Sequence, residues 1–411
     1  MTFAVSSQLV LSRAPEGPLA GYFASFANSL GALGYATGSI RRQVLIGACF
    51  SRWLGQRAVT PEGITSGHVT RYLRYRARRR RPCLGDRAAL THLMDFLRRE
   101  GVSPAEQAVH ERSSIDRCAD AYEVYLREGR ALATATIVNY VPFVRDFLRH
   151  CFRAKPVELS CLSASEVLRF VRQQAPRLHR KRAKLMTTAL RSFLRYARYI
   201  GEVDLDLAAA VPVVANWSMT TIPRAITPDQ VRQLLASIDR RNGTGRRDYA
   251  ILLLLARLGL RSGEVALLTL DDVDWEAGQL TVHGKSGRRN ELPLPADVGE
   301  AIAAYLQDGR PRSASRFVFL RAKAPVRGFR GACGIGSIIR RSLQRCGVDT
   351  PSLGAHQFRH GLATEMLRQG ASLGEIGDVL GHRHPQTTTI YTKVDIEALR
   401  SLALPWPGST P

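Results

Sequence analysis

His356-Gln-Phe-Arg359-His360 opens a helical pattern that runs to about Arg368, and beyond it stands Leu380-Gly-His382-Arg-His-Pro-Gln-Thr-Thr-Thr-Ile-Tyr391. His356, Arg359 and His360 are spaced i, i+3, i+4, which places them on one helix face. The second stretch reads as a turn followed by a short helix. Working upstream, Gly278-Gln-Leu-Thr-Val-His283 and Asn290-Glu-Leu-Pro-Leu-Pro295 flank a Gly/Lys/Ser turn and predict a β-hairpin. Before it come two helical patterns, Gln230–Ile238 and Arg247–Leu258. The first starts at Thr227-Pro-Asp-Gln230, a capping box with proline at the first helical position. Residues 225–400 therefore form a mixed α+β block.

Farther upstream the chain is helical throughout. One block covers about 15–105 and a second about 112–208, with a linker from Val211 to Arg224 that holds Pro212 and Pro223. The two blocks resemble each other. Thr65-Ser-Gly-His-Val-Thr-Arg-Tyr-Leu-Arg-Tyr-Arg-Ala77 aligns with Ser163-Ala-Ser-Glu-Val-Leu-Arg-Phe-Val-Arg-Gln-Gln-Ala175, and Phe96-Leu-Arg98 with Phe193-Leu-Arg195. A tandem duplication of one small helical domain accounts for this; chance likeness of two amphipathic, arginine-rich helices is the alternative. The resulting division is 1–110, 111–210, a linker at 211–224, 225–400, and a tail at 401–411.

The chain has 411 residues, 59 Lys plus Arg against 35 Asp plus Glu, and a formal charge of +24. A polyanion partner follows, with DNA or RNA first. A GC-rich genome would explain arginine over lysine but not the net excess of charge. Membrane readings fail: the start lacks a basic segment and a long apolar core, and the run Tyr249–Leu260 is short and interrupted by Arg257. Seven scattered cysteines without paired spacing fit reduced thiols in a cytoplasm.

The 225–400 block gathers groups that suit phosphoryl transfer: a nucleophile, cations for the non-bridging oxygens, and an acid for the leaving oxygen. Arg261 lies at a glycine-flanked helix junction, where its fork can meet phosphate or pair with Glu264. Lys285, at the hairpin tip, can donate a proton or merely solubilise a turn. Its GKS is not a phosphate-binding loop, because the upstream glycine spacing is missing. His356 and His360 have a zinc-like spacing, but the glutamate of helical zinc motifs is absent and Arg359 would oppose a bound cation. His382 can hydrogen-bond a phosphate oxygen. Tyr391 offers a phenol whose anion nearby cations would stabilise; buried in a core, it would be structural instead.

Together and in order, these elements resemble the tyrosine recombinases of the phage-integrase family. That family carries arginine in A-x-x-G-L-R-x-x-E (here Ala256–Glu264), lysine in a G-K hairpin (Gly284-Lys285), H-x-x-R-H (His356–His360), and L-G-H with tyrosine nine residues on (His382, Tyr391). The resemblance extends to the end of the second block and implies a mainly α, multidomain fold. Its parts would be one or more α-helical SAM-like core-binding domains and a mixed α+β catalytic domain, the whole forming a C-shaped clamp on DNA. It implies Tyr391 as nucleophile forming a 3′-phosphotyrosine, and Arg261 and Arg359 on the phosphate. Lys285 would be the acid, with His356 and His382 orienting and assisting. It implies no metal, no cofactor, and a homotetramer on two duplexes, alone or with related recombinases.

The first block departs from the minimal family pattern. Its run Arg71-Tyr-Leu-Arg74-Tyr-Arg-Ala-Arg78-Arg79-Arg80-Arg81-Pro82 predicts a DNA-backbone contact, as do Arg180, Lys181, Arg182 and Lys184 in the second. The segment 395–407 reads as an exchange element that docks on a neighbouring subunit. The expected function is integration, excision or transposition for a bacterial mobile element, in the cytoplasm on the nucleoid. A type IB topoisomerase, a silent DNA-binding descendant and an RNA-binding protein are the rivals.

Overall fold

The computed structural model describes residues 3–6, 9–11, 14–79, 81, 83–103, 113–153, 155–214, 225–284, 289–350, 352–382 and 385–394. Lys285 and the hairpin tip, Arg80, linker residues 215–224 and the segment 395–411 lie outside the described residues. The chain divides into two compact units, Met1–Glu106 with Thr221–Pro411, and Gln107–Thr220.

In the first unit a short antiparallel pair, β1 (Phe3–Ser6) and β2 (Leu9–Leu11), precedes α1 (Phe23–Ala32), α2 (Thr37–Gly55), α3 (Ser66–Ala77) and α4 (Leu84–Arg99). Apolar positions three and four apart on each helix meet in one core that includes Phe26, Phe50, Tyr72, Leu93 and Phe96. The second unit holds α5 (Ser114–Val124), α6 (Thr134–Phe152), α7 (Ala164–Gln174) and α8 (Arg180–Tyr199), closed on Tyr122, Phe147, Phe170, Leu190 and Phe193.

The two helical sets repeat each other in detail. Both α3 and α7 follow a 3₁₀ turn, Pro61–Gly63 and Leu159–Cys161. Val69 and Val167, Tyr72 and Phe170, Phe96 and Phe193, and Leu97 and Leu194 are all buried. Phe50 packs on Tyr72 with ring centroids 5.2 Å apart, and Phe147 packs on Phe170 at 5.3 Å. Phe26 meets Phe96 at 5.5 Å, and Tyr122 meets Phe193 at 5.3 Å. At the N-terminus of α7, Ser163 N donates to Glu166 Oε2 (3.0 Å) and Glu166 N donates to Ser163 Oγ (3.4 Å). At the same place on α3, Thr65 N donates to His68 Nδ1 (3.2 Å). Ser163→Ala removes one acceptor from exposed helix N–H groups. It is expected to cost about 1 kcal/mol, read as a lower urea midpoint; an unchanged midpoint would show that the cap contributes nothing.

The remainder of the first unit begins with α9 (Pro228–Ala236) and α10 (Gly243–Leu258). The cap and the proline of α9 fall where the sequence puts them. Helix α10 starts four residues before the expected Arg247. Asn242 Oδ1 accepts from Gly245 N (2.8 Å), and Gly245 is a close-approach position, since a side chain there would run into Asp239 O. Gly243 and Gly245 both lie in the helix's first turn. Ala250 to Leu255 are all buried, so α10 is the central helix of this domain. No helix among the described residues is long and apolar enough to cross a membrane.

Next come α11 (Ser262–Leu267) and an antiparallel sheet of β3 (Val273–Asp274), β4 (Gln279–His283) and β5 (Arg289–Pro293), in which Thr281 pairs with Glu291 and His283 with Arg289. The sequence signals only two of these strands. The third, β3, is two residues long, too short for any alternation to show. Helices α12 (Ala296–Asp308), α13 (Ala332–Cys346), α14 (His356–Arg368) and α15 (Leu373–Val379) complete the domain, followed by a 3₁₀ segment, Pro385–Val394. Helix α14 has the limits that its sequence pattern predicts.

Candidate active site

Helix α10 ends at Gly259, which has φ +59 and stands where a Cβ would lie 2.9 Å from Leu380 and 3.0 Å from Leu362. Glycine is required there by conformation and by space. The chain then turns into α11 with Arg261 at its N-cap. Glu264 accepts from the Arg261 backbone N–H (2.8 Å) and from its Nη1 (2.6 Å). The pairing with Glu264 is thus present, and it aims the Arg261 fork while leaving its side chain 37% exposed.

Arg359 is the centre of the arrangement. Only 5% exposed, it donates from Nη1 to Gly259 O (2.9 Å) and from Nη2 to Leu380 O. One guanidinium on α14 thereby holds the carbonyl two residues before Arg261 and the carbonyl two residues before His382. Burial, with Arg261 nearby, pushes its pKa down to about 10, opposed by Glu264 and Tyr391, so the group stays charged at neutral pH.

The tyrosine departs from expectation. Tyr391 is 1% exposed and packs with Ala363, Ile376 and Leu380. Burial raises its pKa and outweighs the opposing Arg359 and Arg261, so the phenolate is disfavoured in this arrangement. Arg359 and Arg261 do favour the phenolate, as the sequence leads one to expect, but the desolvation of the ring outweighs them. Its hydroxyl lies 3.0 Å from His360 Nδ1, and the His382 ring stacks parallel to it at 6.5 Å. His382 Nδ1 is engaged by Thr388 Oγ1 (2.8 Å), and burial plus Arg359 and Arg261 push its pKa down to about 4. His356, exposed at the start of α14, lies 6.3 Å from the His360 ring.

The hairpin that carries Lys285 is anchored at its base. His283 Nε2 meets Asp272 Oδ1 at 2.8 Å, and Asp272 also accepts from Thr269 N (2.8 Å) and Oγ1 (2.6 Å). Burial alone would raise the Asp272 pKa; these hydrogen bonds outweigh it and hold the carboxylate low. On β5, Asn290 Nδ2 comes so close to Gly381 (φ +59) that a side chain there would strike it. This contact sets the hairpin beside the turn that bears His382.

The structure therefore brings together Arg261, His356, Arg359, His382 and Tyr391 around one point, and it places the base of the Lys285 hairpin beside the His382 turn. Residues outside the six expected catalytic positions also belong here: Glu264, Thr388, Asn290, the Asp272–His283 pair, and above all His360. His360 stood in the H-x-x-R-H motif, but only tertiary contact shows which group it faces.

The proposed DNA-contact residues lie elsewhere. Arg71, Arg74, Arg78, Arg79 and Arg81 are exposed at and beyond the end of α3, with Arg79 4.6 Å over the Tyr75 ring. Arg76, inside the same run, is turned inward to Asp86 (2.8 Å) and serves the fold. Arg180, Lys181, Arg182 and Lys184 are exposed in the first turns of α8, where Arg182 stands 4.8 Å over Phe143.

Helical domains joined to a mixed domain with this cluster define a class of enzymes that break and rejoin nucleic-acid strands. Comparison with known proteins narrows it. The phage integrase family model matches residues 224–397. A relative from Sinorhizobium fredii (strain NBRC 101917 / NGR234), named as the integrase/recombinase y4rA, is 58% identical over 99% of both chains. The tyrosine recombinase XerA of Thermococcus onnurineus is 31% identical, covering 70% of this chain and 94% of its own. Among solved structures, the XerH site-specific recombinase bound to its palindromic difH substrate shares the fold, with a TM-score of 0.54 at 18% identity, over 75% of this chain and 93% of that one. The chain belongs to the phage integrase family: it is a tyrosine recombinase, an enzyme of site-specific DNA recombination.

Proposed function

We propose that Tyr391 attacks a DNA phosphate and becomes joined to its 3′ side, freeing a 5′ hydroxyl. Arg261 and Arg359 hold the non-bridging oxygens, Lys285 protonates the leaving oxygen, and His356 and His382 orient the phosphate. A second strand's 5′ hydroxyl then displaces the tyrosine, so the phosphodiester bond energy is conserved. The observation that carries this reading is the Arg359 guanidinium, which binds the main chain beside Arg261 and beside His382 and so gathers the cations next to the tyrosine hydroxyl. Tyr391 is buried in this arrangement, so DNA binding must uncover its hydroxyl to a phosphate while the ring stays against α14. Its 3₁₀ segment suits such a change, because that pitch rarely persists beyond a few residues.

The proposal includes a homotetramer on two duplexes, assembled through 395–407, and a place of action wherever the DNA lies, the bacterial nucleoid. It divides the chain into helical domains 1–110 and 111–210, a linker 211–224, the catalytic domain 225–400 and a tail 401–411. Matched buried aromatics support descent of the first two from one domain. The α8 N-terminus carries four exposed cations and no acid in its first turn. That is unfavourable against the helix dipole and suits an anionic partner instead. In Sinorhizobium fredii the similar chain bears an integrase name, which favours integration, excision or transposition of a mobile element.

Replacing Arg71, Arg74, Arg78, Arg79 and Arg81 together by alanine is expected to weaken binding to every duplex and to flatten the salt dependence. The slope should fall by about 0.9 logarithmic units for each phosphate that is no longer neutralised. An unchanged slope removes this surface from the DNA interface. The function itself is tested with a nicked duplex bearing the end sequences of the element that encodes the chain, in the presence of a chelator. A protein linked to a 3′ phosphate supports it; tight binding without any adduct favours a silent DNA-binding descendant.

A further inference from the structure

We propose that His360 is the general base of strand cleavage, taking the phenolic proton of Tyr391 as its oxygen attacks phosphorus. This rests on the reading of Tyr391 as the nucleophile. His360 Nδ1 lies 3.0 Å from the Tyr391 hydroxyl, with the rings edge to face at 5.6 Å. Proton transfer in hydrogen-bond contact needs that separation. The neighbouring candidates are committed elsewhere: His382 holds Thr388 through Nδ1 and presents its ring face to the tyrosine, and Arg359 cannot accept a proton.

The surroundings keep His360 in the form a base requires. Burial first, then His356 and Arg359 on its own helix, lower its pKa, so the ring is neutral at physiological pH. From the segment after α15 it faces Tyr391 and His382. The neutral tautomer protonated on Nε2 leaves the Nδ1 lone pair directed at the phenol. The need for a base is set by the same desolvation: a buried phenol with a raised pKa offers almost no phenolate at neutral pH. His360 also follows Arg359 directly in the chain, so α14 fixes the base and a phosphate-binding cation in one rigid frame.

The step balances without any added reagent. The Tyr391 oxygen–phosphorus bond forms, the bond from phosphorus to the 5′ oxygen breaks, the phenolic proton moves to His360 Nδ1, and the 5′ oxygen takes a proton from the acid. In strand joining the path reverses: the incoming 5′ hydroxyl loses its proton to the same acid group, and His360 returns its proton to the departing tyrosine oxygen.

The test compares wild type, His360→Asn and Tyr391→Phe in single-turnover adduct formation on the same nicked duplex. Asparagine retains a hydrogen-bonding atom near the Nδ1 position but cannot take up a proton. A loss on the order of 10²-fold is expected for it. The wild-type rate should fall as pH drops through a pKa below the usual histidine range, and this limb should vanish in the variant. Placing 3-fluorotyrosine at 391, a more acidic phenol, should restore the His360→Asn rate by about tenfold or more relative to wild type. A bridging 5′-sulfur substrate, which needs no acid, should leave that variant slow.

A His360→Asn rate within threefold of wild type overturns the proposal. A faster rate does so as well, since it would make His360 a latch on a retracted tyrosine. A slow rate indifferent to fluorotyrosine, or one that keeps the wild-type pH limb, would mark a structural role and also overturns it. Rescue by the sulfur substrate would assign His360 to the leaving group instead. Should His360→Asn fail to melt cooperatively, His360→Gln replaces it. An adduct formed by Tyr391→Phe would be a separate failure, that of the nucleophile itself.

Discussion

Tyr391→Phe is expected to bind the duplex as wild type does and to form no covalent adduct, a loss of about 10⁴-fold or more in cleavage. The substitution removes one oxygen and leaves the ring. Because the ring packs on Ala363, Ile376 and Leu380, that core stays filled. The hydrogen bond to His360 disappears, which costs about 1 kcal/mol. Folding and DNA affinity are therefore preserved while the nucleophile is gone. The adduct is read on a denaturing gel with a 5′-labelled cleaved strand, and affinity by mobility shift at a fixed salt concentration. An adduct in the Phe variant would move the nucleophile to another hydroxyl.

The second large effect belongs to Arg359. Its guanidinium reaches two carbonyls, Gly259 O and Leu380 O, from a buried position. Arg359→Ala strands both acceptors, at about 1–3 kcal/mol each, and also removes a phosphate-binding cation. Arg359→Lys separates the two roles. Lysine retains the charge but is a point donor that cannot span both carbonyls with a fork. The lysine variant is expected to fold with a lower urea midpoint and to cleave about 10²–10³-fold more slowly. Wild-type cleavage by the lysine variant would show that charge alone suffices and that the gathering of the two motifs by Arg359 is dispensable. Arg359 keeps its charge at neutral pH, so loss of that charge does not enter the pH dependence at and below pH 7.

Much of this could be read before any coordinates, and the reasons are local. Ser163-x-x-Glu166 and Thr227-x-x-Gln230 name helix starts because cap and partner lie three residues apart. The hairpin strands show alternation, and α14 runs from His356 to Arg368 as its pattern dictates. The order of Arg261, Lys285, His356, Arg359, His382 and Tyr391 identifies the family, and the likeness of Thr65–Ala77 to Ser163–Ala175 is matched by shared caps and buried positions. Arg76 shows where local reading stops: in a run of exposed arginines, nothing marks the one that turns inward to Asp86.

What the sequence by itself determined was which groups are present and which short elements carry them, since caps, turns and periodicity act over a few residues. The tertiary structure decided how those groups meet. Arg359 and Gly259 are 100 residues apart, and Arg359 and Leu380 are 21 apart, so no periodicity can encode that one guanidinium binds both carbonyls. It also decided that Tyr391 is desolvated and that His360 is the group its hydroxyl faces. Desolvation and contact geometry depend on everything packed around a residue, and they come into being only when the chain is folded.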